Sequence, residues 1–233
     1  MGKSVNNTRK GQGKQYARPT LNFFNDVETT GLSKKWSEVI AIGYEVRDFS
    51  NNLVKKDYLT IKAKTKWVID KWYEPSSDGR KTHYEIHGLR HEELEYEPID
   101  AAKKILRDLY DLKAHLNFVC HHGSYFDRNF MEIFFRGVGL HGWFNSLMRR
   151  PLDPMNDEPE LEEQFYIEDT VKIAKRVGFP EANLKYLANY FELELDHHNA
   201  ESDTCVLAEI YPKLKEIEAN GLVEKELSQG LLI

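Results

Sequence analysis

Leu21-Asn22-Phe23-Phe24-Asn25-Asp26-Val27-Glu28-Thr29-Thr30-Gly31-Leu32 is the stretch that decides how this chain folds. After Pro19 comes a short apolar run, residues 21–26, of strand length and composition. In a strand, side chains alternate, so Asp26 and Glu28 share one face and Val27 takes the other. Thr29-Thr30-Gly31-Leu32 then ends the strand. Residues 38–46 mix Val, Ile and Tyr with small residues, and residues 53–61 form a similar run; both read as strands. Ser50-Asn51-Asn52 between them is hairpin chemistry. The chain therefore opens with an antiparallel meander.

Further along, residues 99–112 place Ala102, Ile105, Leu106 and Leu109 at helical spacing, and residues 117–121 form a compact apolar strand. Phe126, Phe130 and Phe134 recur every four residues, so a helix begins near Asp127 and buries an aromatic stripe. Residues 143–163 combine prolines, Arg149-Arg150 and an acidic stretch without steady periodicity, which predicts an excursion over the domain. Residues 166–176, 184–191 and 200–217 read as helical or mixed segments. Strands first, then helices alternating with strands, predict a single α/β domain with a mixed sheet covered by helices on both faces.

The 233 residues are 41% hydrophobic and 30% charged, ordinary for a soluble protein with one substantial core. No apolar run approaches the roughly 20 residues that span a bilayer, and the start lacks the apolar segment of a secretory signal. The expectation is a cytoplasmic protein with no membrane partner. Cys120 and Cys205 lie far apart, without metal-ligand spacing, and read as buried free thiols.

A formal charge of −6 argues against a nucleic-acid partner only if the charge is evenly spread. It is not. Residues 1–20 carry Lys3, Arg9, Lys10, Lys14 and Arg18 with no acid, a basic arm. Residues 62–81 hold six basic against three acidic residues and interleave Trp67, Trp72 and Tyr73. Cations for phosphates and aromatic faces for bases suit a single-stranded nucleic acid. A solvated loop with anchoring aromatics is an equal reading.

Two carboxylates crowded on one strand face repel unless a cation lies between them, so Asp26 and Glu28 suit a hard metal such as Mg²⁺ or Mn²⁺. A D-x-E pair alone is equally a solvated strand end. Gly31 allows close backbone approach to a ligand. Asp127 sits where a helix N-terminus favours an anion, which is also a common structural choice. Asp203 falls one turn into the last helix, after Asn199 as cap. His197 and His198 precede that helix. An imidazole there suits a general base near neutrality, or is part of a polar loop.

The combination is more specific than its parts. D-x-E with T-T-G-L, Phe126-Asp127 opening a helix, and H-x₄-D at the last helix resemble the DEDDh exonuclease family over residues 21–217. The similarity is to the proofreading-subunit and RNase T branch, whose motifs are D-x-E-T-T-G and H-N-x-x-F-D. Here the second reads His122-Gly123-Ser124-Tyr125-Phe126-Asp127, with Gly123 where the family usually has Asn. Ile86-His87-Gly88-Leu89 and Asp169-Thr170 are lesser echoes. A sister group places Tyr four residues before the last Asp, where this chain has Asn199.

The resemblance implies an RNase H-like α/β fold. It implies Asp26, Glu28, Asp127 and Asp203 as ligands of two Mg²⁺ or Mn²⁺ ions, with His198 as general base. The implied reaction is hydrolysis from the 3′ end of a single-stranded nucleic acid, releasing 5′-monophosphates. Thr29, Thr30 and Leu32 are the implied terminal-nucleotide contacts, and Trp67, Trp72 and Tyr73 are expected to grip the strand upstream. DNA proofreading or repair is favoured over RNA 3′-trimming because the first motif resembles the proofreading branch. A catalytically inactive binding module and a small-nucleotide phosphohydrolase are the competing readings.

The expected organisation is an arm at 1–20, an exonuclease domain at 21–219 with insertions at 62–81 and 143–163, and a tail at 220–233. That tail ends Ser228-Gln229-Gly230-Leu231-Leu232-Ile233 and is similar to peptides that dock on sliding clamps. Residues 229–233 are the segment that would make this contact.

Overall fold

In the computed structural model, the described residues are 19–65, 69, 72–74, 81–122, 126–148, 167–196 and 199–220. Five strands form one sheet in the order β3-β2-β1-β4-β5. They are β1 (Thr20–Thr29), β2 (Val39–Arg47), β3 (Leu53–Thr60), β4 (His115–Cys120) and β5 (Ile167–Asp169). The first three pair antiparallel, as the meander predicts, with Asp48 accepting backbone hydrogen bonds from Ser50 and Asn52 at the hairpin turn. The β1–β4 and β4–β5 pairs are parallel.

Seven helices are described: α1 (His83–His87), α2 (Pro98–Asp111), α3 (Asp127–Gly137), α4 (His141–Leu147), α5 (Thr170–Arg176), α6 (Leu184–Tyr190) and α7 (Ala200–Asn220). On one face of the sheet, Ile105 and Leu109 of α2, and Phe130 and Phe134 of α3, bury against Phe23, Val27 and Phe118. The Phe stripe in the sequence is therefore core, with Phe126 packed at its edge. On the other face, Phe24 and Val119 meet Leu187 of α6 and Val206, Leu207 and Ile210 of α7. The strand alternation that sends Phe23 and Phe24 to opposite cores also divides Val27 from Asp26 and Glu28.

Two expectations change. The predicted excursion at 143–163 begins instead with a continuation of α4, a helix too short for its period to show in the sequence. Phe144 of this helix stacks on Phe135, with ring centroids 4.3 Å apart and planes at 8°. Residues 149–163 of that stretch lie outside the described residues, as do residues 1–18 of the arm and residues 221–233 of the tail with its clamp-like end. The second change concerns Trp72. It is fully buried among Ile40, Ala63 and Leu94, and its indole N–H donates to the Leu89 carbonyl. It anchors the segment and has no face to offer a strand.

No helix among the described residues is long and apolar enough to cross a membrane. Cys120 is buried and Cys205 half-buried, and both are free thiols.

Candidate active site

Asp26 and Glu28 lie near the C-terminal end of β1, on the face covered by α7. Asp26 pairs with Gly43 of β2, and Gly43 pairs in turn with Tyr58 of β3. Gly43 matters because α7 begins directly over it. A Cβ at this position would lie 2.2 Å from the Ala200 carbonyl oxygen and 2.6 Å from its carbon. Only a residue without a side chain lets the helix start against the strand. An isolated Gly in a strand run is the sequence signal for such an approach.

Helix α7 is capped as predicted: the Asn199 side-chain oxygen accepts from the Glu201 and Ser202 N–H groups. Farther along, Arg47 of β2 holds α7 down. Its guanidinium pairs with Glu45 beside it and with Glu209 of α7, each at 2.6 Å, and both Arg47 and Glu45 are buried. The consequence is a fixed Asp203. One ligand atom each from Asp26, Glu28 and Asp203 all lie within 4.8 Å of one another.

Asp127 opens α3, and its carboxylate accepts from the Val27 backbone N–H between Asp26 and Glu28. Asp127 and Asp203 are both buried. The end of β4 is clasped by the Asp169-Thr170 pair. One Asp169 oxygen accepts from the N–H of Val171, capping α5, and from the N–H of His122. The Thr170 hydroxyl donates to the Cys120 carbonyl and contacts His121 Nδ1 at 2.8 Å. His122 itself has φ of 58°. That D-T echo thus has a physical role, fixing the exit of β4 from which the chain leads to Asp127.

Crowding shows in the protonation of these acids. Burial, then the charges of Asp203 and Asp127, pushes Glu28 up to about 8. Burial raises Asp127 to about 7 against the opposing backbone hydrogen bonds, with Asp169 and Asp203 adding to the rise. Asp26 is raised well above the usual carboxylate range by burial, Asp127, Asp203 and Glu28. Tyr58, two strands away, is pushed up to about 12 by burial and the charges of Glu28 and Glu201. Three acids whose ionisation is opposed by burial and by neighbouring charges, that of Asp203 among them, form a site that a cation would relieve. Their all-oxygen donor set fits a hard divalent ion such as Mg²⁺ or Mn²⁺.

The predicted substrate contacts fare unevenly. Leu32 is exposed beside the site and Thr29 is half-buried, its hydroxyl donating to the Gly31 carbonyl. Thr30 is buried, and its hydroxyl accepts from the Glu38 N–H, so this side chain holds the loop closed. Tyr73 is exposed, with its hydroxyl bonded to Glu92. His198, the expected base, and Trp67 lie outside the described residues.

No protein-family profile matches the chain. It is 25% identical over 204 residues to a PolC-type DNA polymerase III from Staphylococcus saprophyticus, a match covering 84% of this chain and 12% of the polymerase. Among solved structures, it is similar to a zinc-bound E. coli ExoI–ssDNA complex, with TM-score 0.61, 13% identity, and coverage of 87% of this chain and 42% of that one. Similar values hold for E. coli exonuclease I with a dT13 oligonucleotide, with TM-score 0.61, 13% identity, and coverage of 86% and 42%. The chain therefore spans less than half the length of these relatives. The likeness is one of fold: a mixed five-stranded sheet with helices on both faces, the RNase H-like α/β architecture of exonuclease I.

Proposed function

We propose that the chain is a divalent-metal-dependent 3′→5′ exonuclease acting on single-stranded nucleic acid, DNA before RNA, and releasing nucleoside 5′-monophosphates. The observation that carries this reading is the meeting of Asp26, Glu28 and Asp203 within 4.8 Å, with buried Asp127 held beside them by the Val27 N–H. The resemblance of the D-x-E-T-T-G and H-x₄-D motifs to the DEDDh exonucleases supports it. So does the fold shared with exonuclease I, whose structures include complexes with single-stranded DNA.

In this reading Asp26, Glu28, Asp127 and Asp203 would hold two Mg²⁺ or Mn²⁺ ions. Such ions, when bound, supply an acidified water and charge stabilisation of the departing 3′ oxygen. The chain's own residues do the remaining work. Asp26 and Glu28 are fixed by the β1 ladder, Asp203 by the Gly43 contact and Arg47, and Asp127 by the Val27 N–H. His198 takes the proton of the attacking water, and its position just before α7 places it in sequence near Asp203. Leu32, exposed immediately after the D-x-E strand, meets the terminal nucleotide.

The test compares single-stranded DNA, single-stranded RNA and duplex DNA of one sequence with Mg²⁺ or Mn²⁺, using wild type, Asp26→Ala and His198→Ala. Loss in both variants with retained folding supports the assigned roles. Full activity in Asp26→Ala would remove it from the metal site. No degradation of any substrate by wild type would leave a binding module and sink the enzyme reading.

A further inference from the structure

Between β1 and β2 the chain makes a loop that carries Leu32, Lys34, Lys35 and Trp36 into solvent. Trp36 keeps 60% of its surface open, on the same loop as Leu32 at 84%. The loop that presents it is built. Thr30 N–H donates to the Glu38 carbonyl at 2.9 Å, and the Glu38 N–H donates to the Thr30 hydroxyl at 2.9 Å. Within the loop, the N–H groups of Trp36 and Ser37 both donate to the Ser33 carbonyl, while the Ser33 N–H donates to the Ser37 hydroxyl. Gly31 has φ of 149°, and a Cβ there would press to 3.0 Å from the Ser37 hydroxyl. At the far side, the Glu38 carboxylate accepts from the N–H groups of Lys64 and Thr65. That acid is thereby turned to the neighbouring segment, and residues 31–37 carry two lysines and no acid.

We propose that Trp36, flanked by Lys34 and Lys35, is a base-stacking platform for the nucleotides next to the one being removed; this rests on the exonuclease reading above. Position supports it. Val39 is paired with Thr29, the neighbour of Glu28. Trp36 is three positions before Val39, so its backbone stands no more than about 11 Å from that pair. Chemistry supports it too: the Lys35 ammonium lies 4.7 Å from the Trp36 ring centroid, so one cluster offers a flat aromatic surface and cations. Those are the two groups a single strand needs, a face for a base and charge for its phosphates. The aromatic grip expected from Trp72, which is buried, falls instead to Trp36.

The experiment measures affinity for a fluorescent twelve-nucleotide single strand, as DNA and as RNA, by anisotropy in Ca²⁺ with the full chain. Trp36→Ala should weaken binding about tenfold, in the range of one stacked base, and Trp36→Phe should restore most of it. Both sugars should lose alike, because a stacked base is held by its face. The Lys34→Ala/Lys35→Ala double variant should flatten the salt dependence by about 1.4 in log–log slope, two single-strand phosphates, whereas Trp36→Ala should leave the slope unchanged. Wild-type affinity in Trp36→Ala, or failure of wild type to bind any strand, overturns the platform. If wild type shortens a strand and Trp36→Ala binds as well as wild type, the platform alone fails. If wild type binds, Trp36→Ala does not, and no strand is cut, the enzyme reading alone fails.

Discussion

Replacing Gly43 with alanine should dismantle the site without touching an acid. The added Cβ would stand 2.2 Å from the Ala200 carbonyl oxygen, where ordinary contact begins near 3.4 Å. Its other close neighbours are backbone atoms, Ala200 C at 2.6 Å and Glu201 N at 3.0 Å, so no side chain can swing aside. The start of α7 must therefore retreat by about 1 Å, the gap to van der Waals contact. Asp203 sits on the first turn of that helix and retreats with it. Metal–ligand distances tolerate about 0.2 Å, so the pocket formed with Asp26 and Glu28 loses its fit. A misplacement of about 1 Å costs on the order of 100-fold in rate, and overpacking adds about 1–3 kcal/mol of instability. Turnover on a single-stranded oligonucleotide, Mn²⁺ affinity by calorimetry and the melting temperature would be measured together. Gly142→Ala in α4 is the control, since its Cβ would meet nothing within 4 Å. Wild-type turnover and Mn²⁺ affinity in a folded Gly43→Ala protein would show that the start of α7 does not set the position of Asp203.

Three other perturbations follow from the same geometry. In metal-free protein, Glu28 raised to about 8 and Asp127 to about 7 bind protons more tightly folded than unfolded, so their contribution is present at low pH and lost as pH rises through those values. The melting temperature should fall between about pH 5 and pH 8, and Mn²⁺ should restore it more at the upper end; a metal-free melting temperature that rises across this window would contradict the crowding. Arg47→Ala leaves Glu45 buried without its partner and frees Glu209 of α7; chemical denaturation should show a loss of about 3–5 kcal/mol, and a loss below about 1 kcal/mol would mean that the pair does not anchor the helix. Asp169→Ala removes the acceptor shared by the Val171 and His122 N–H groups. A stability loss of about 1–2 kcal/mol is expected, together with slower hydrolysis through Asp127; unchanged hydrolysis would separate the clasp from the site.

Much of this was readable from residue order because alternation and helical period are local properties. The D-x-E face, the Phe130/Phe134 stripe, the Asn199 cap and the Asp169-Thr170 junction each depend on neighbours a few residues apart, and each holds in the fold. What escaped the reading depends on contacts across the chain. Trp72 looked like a ligand-binding aromatic because it lies among lysines, yet Ile40, Ala63 and Leu94 close over it. The Thr30 hydroxyl closes its loop by accepting from the Glu38 N–H, eight residues away, which no local pattern announces. Gly43 carried a signal, a lone glycine in a strand, whose meaning appears only when α7 arrives from the far end of the chain. The Arg47–Glu209 pair spans a similar separation and has no local signature. A single exposed tryptophan in a loop, such as Trp36, has no periodicity to mark it.

The most direct measurement follows a 5′-labelled single-stranded DNA and its 3′-blocked twin over time with Mg²⁺ or Mn²⁺, beside an Asp26→Ala/Asp203→Ala protein. The expected result is a ladder that shortens from the free 3′ end, nucleoside 5′-monophosphate as product, protection of the blocked strand, and no ladder from the variant. Intact DNA under every metal condition, or an equal ladder from the variant lacking both acids, would contradict it.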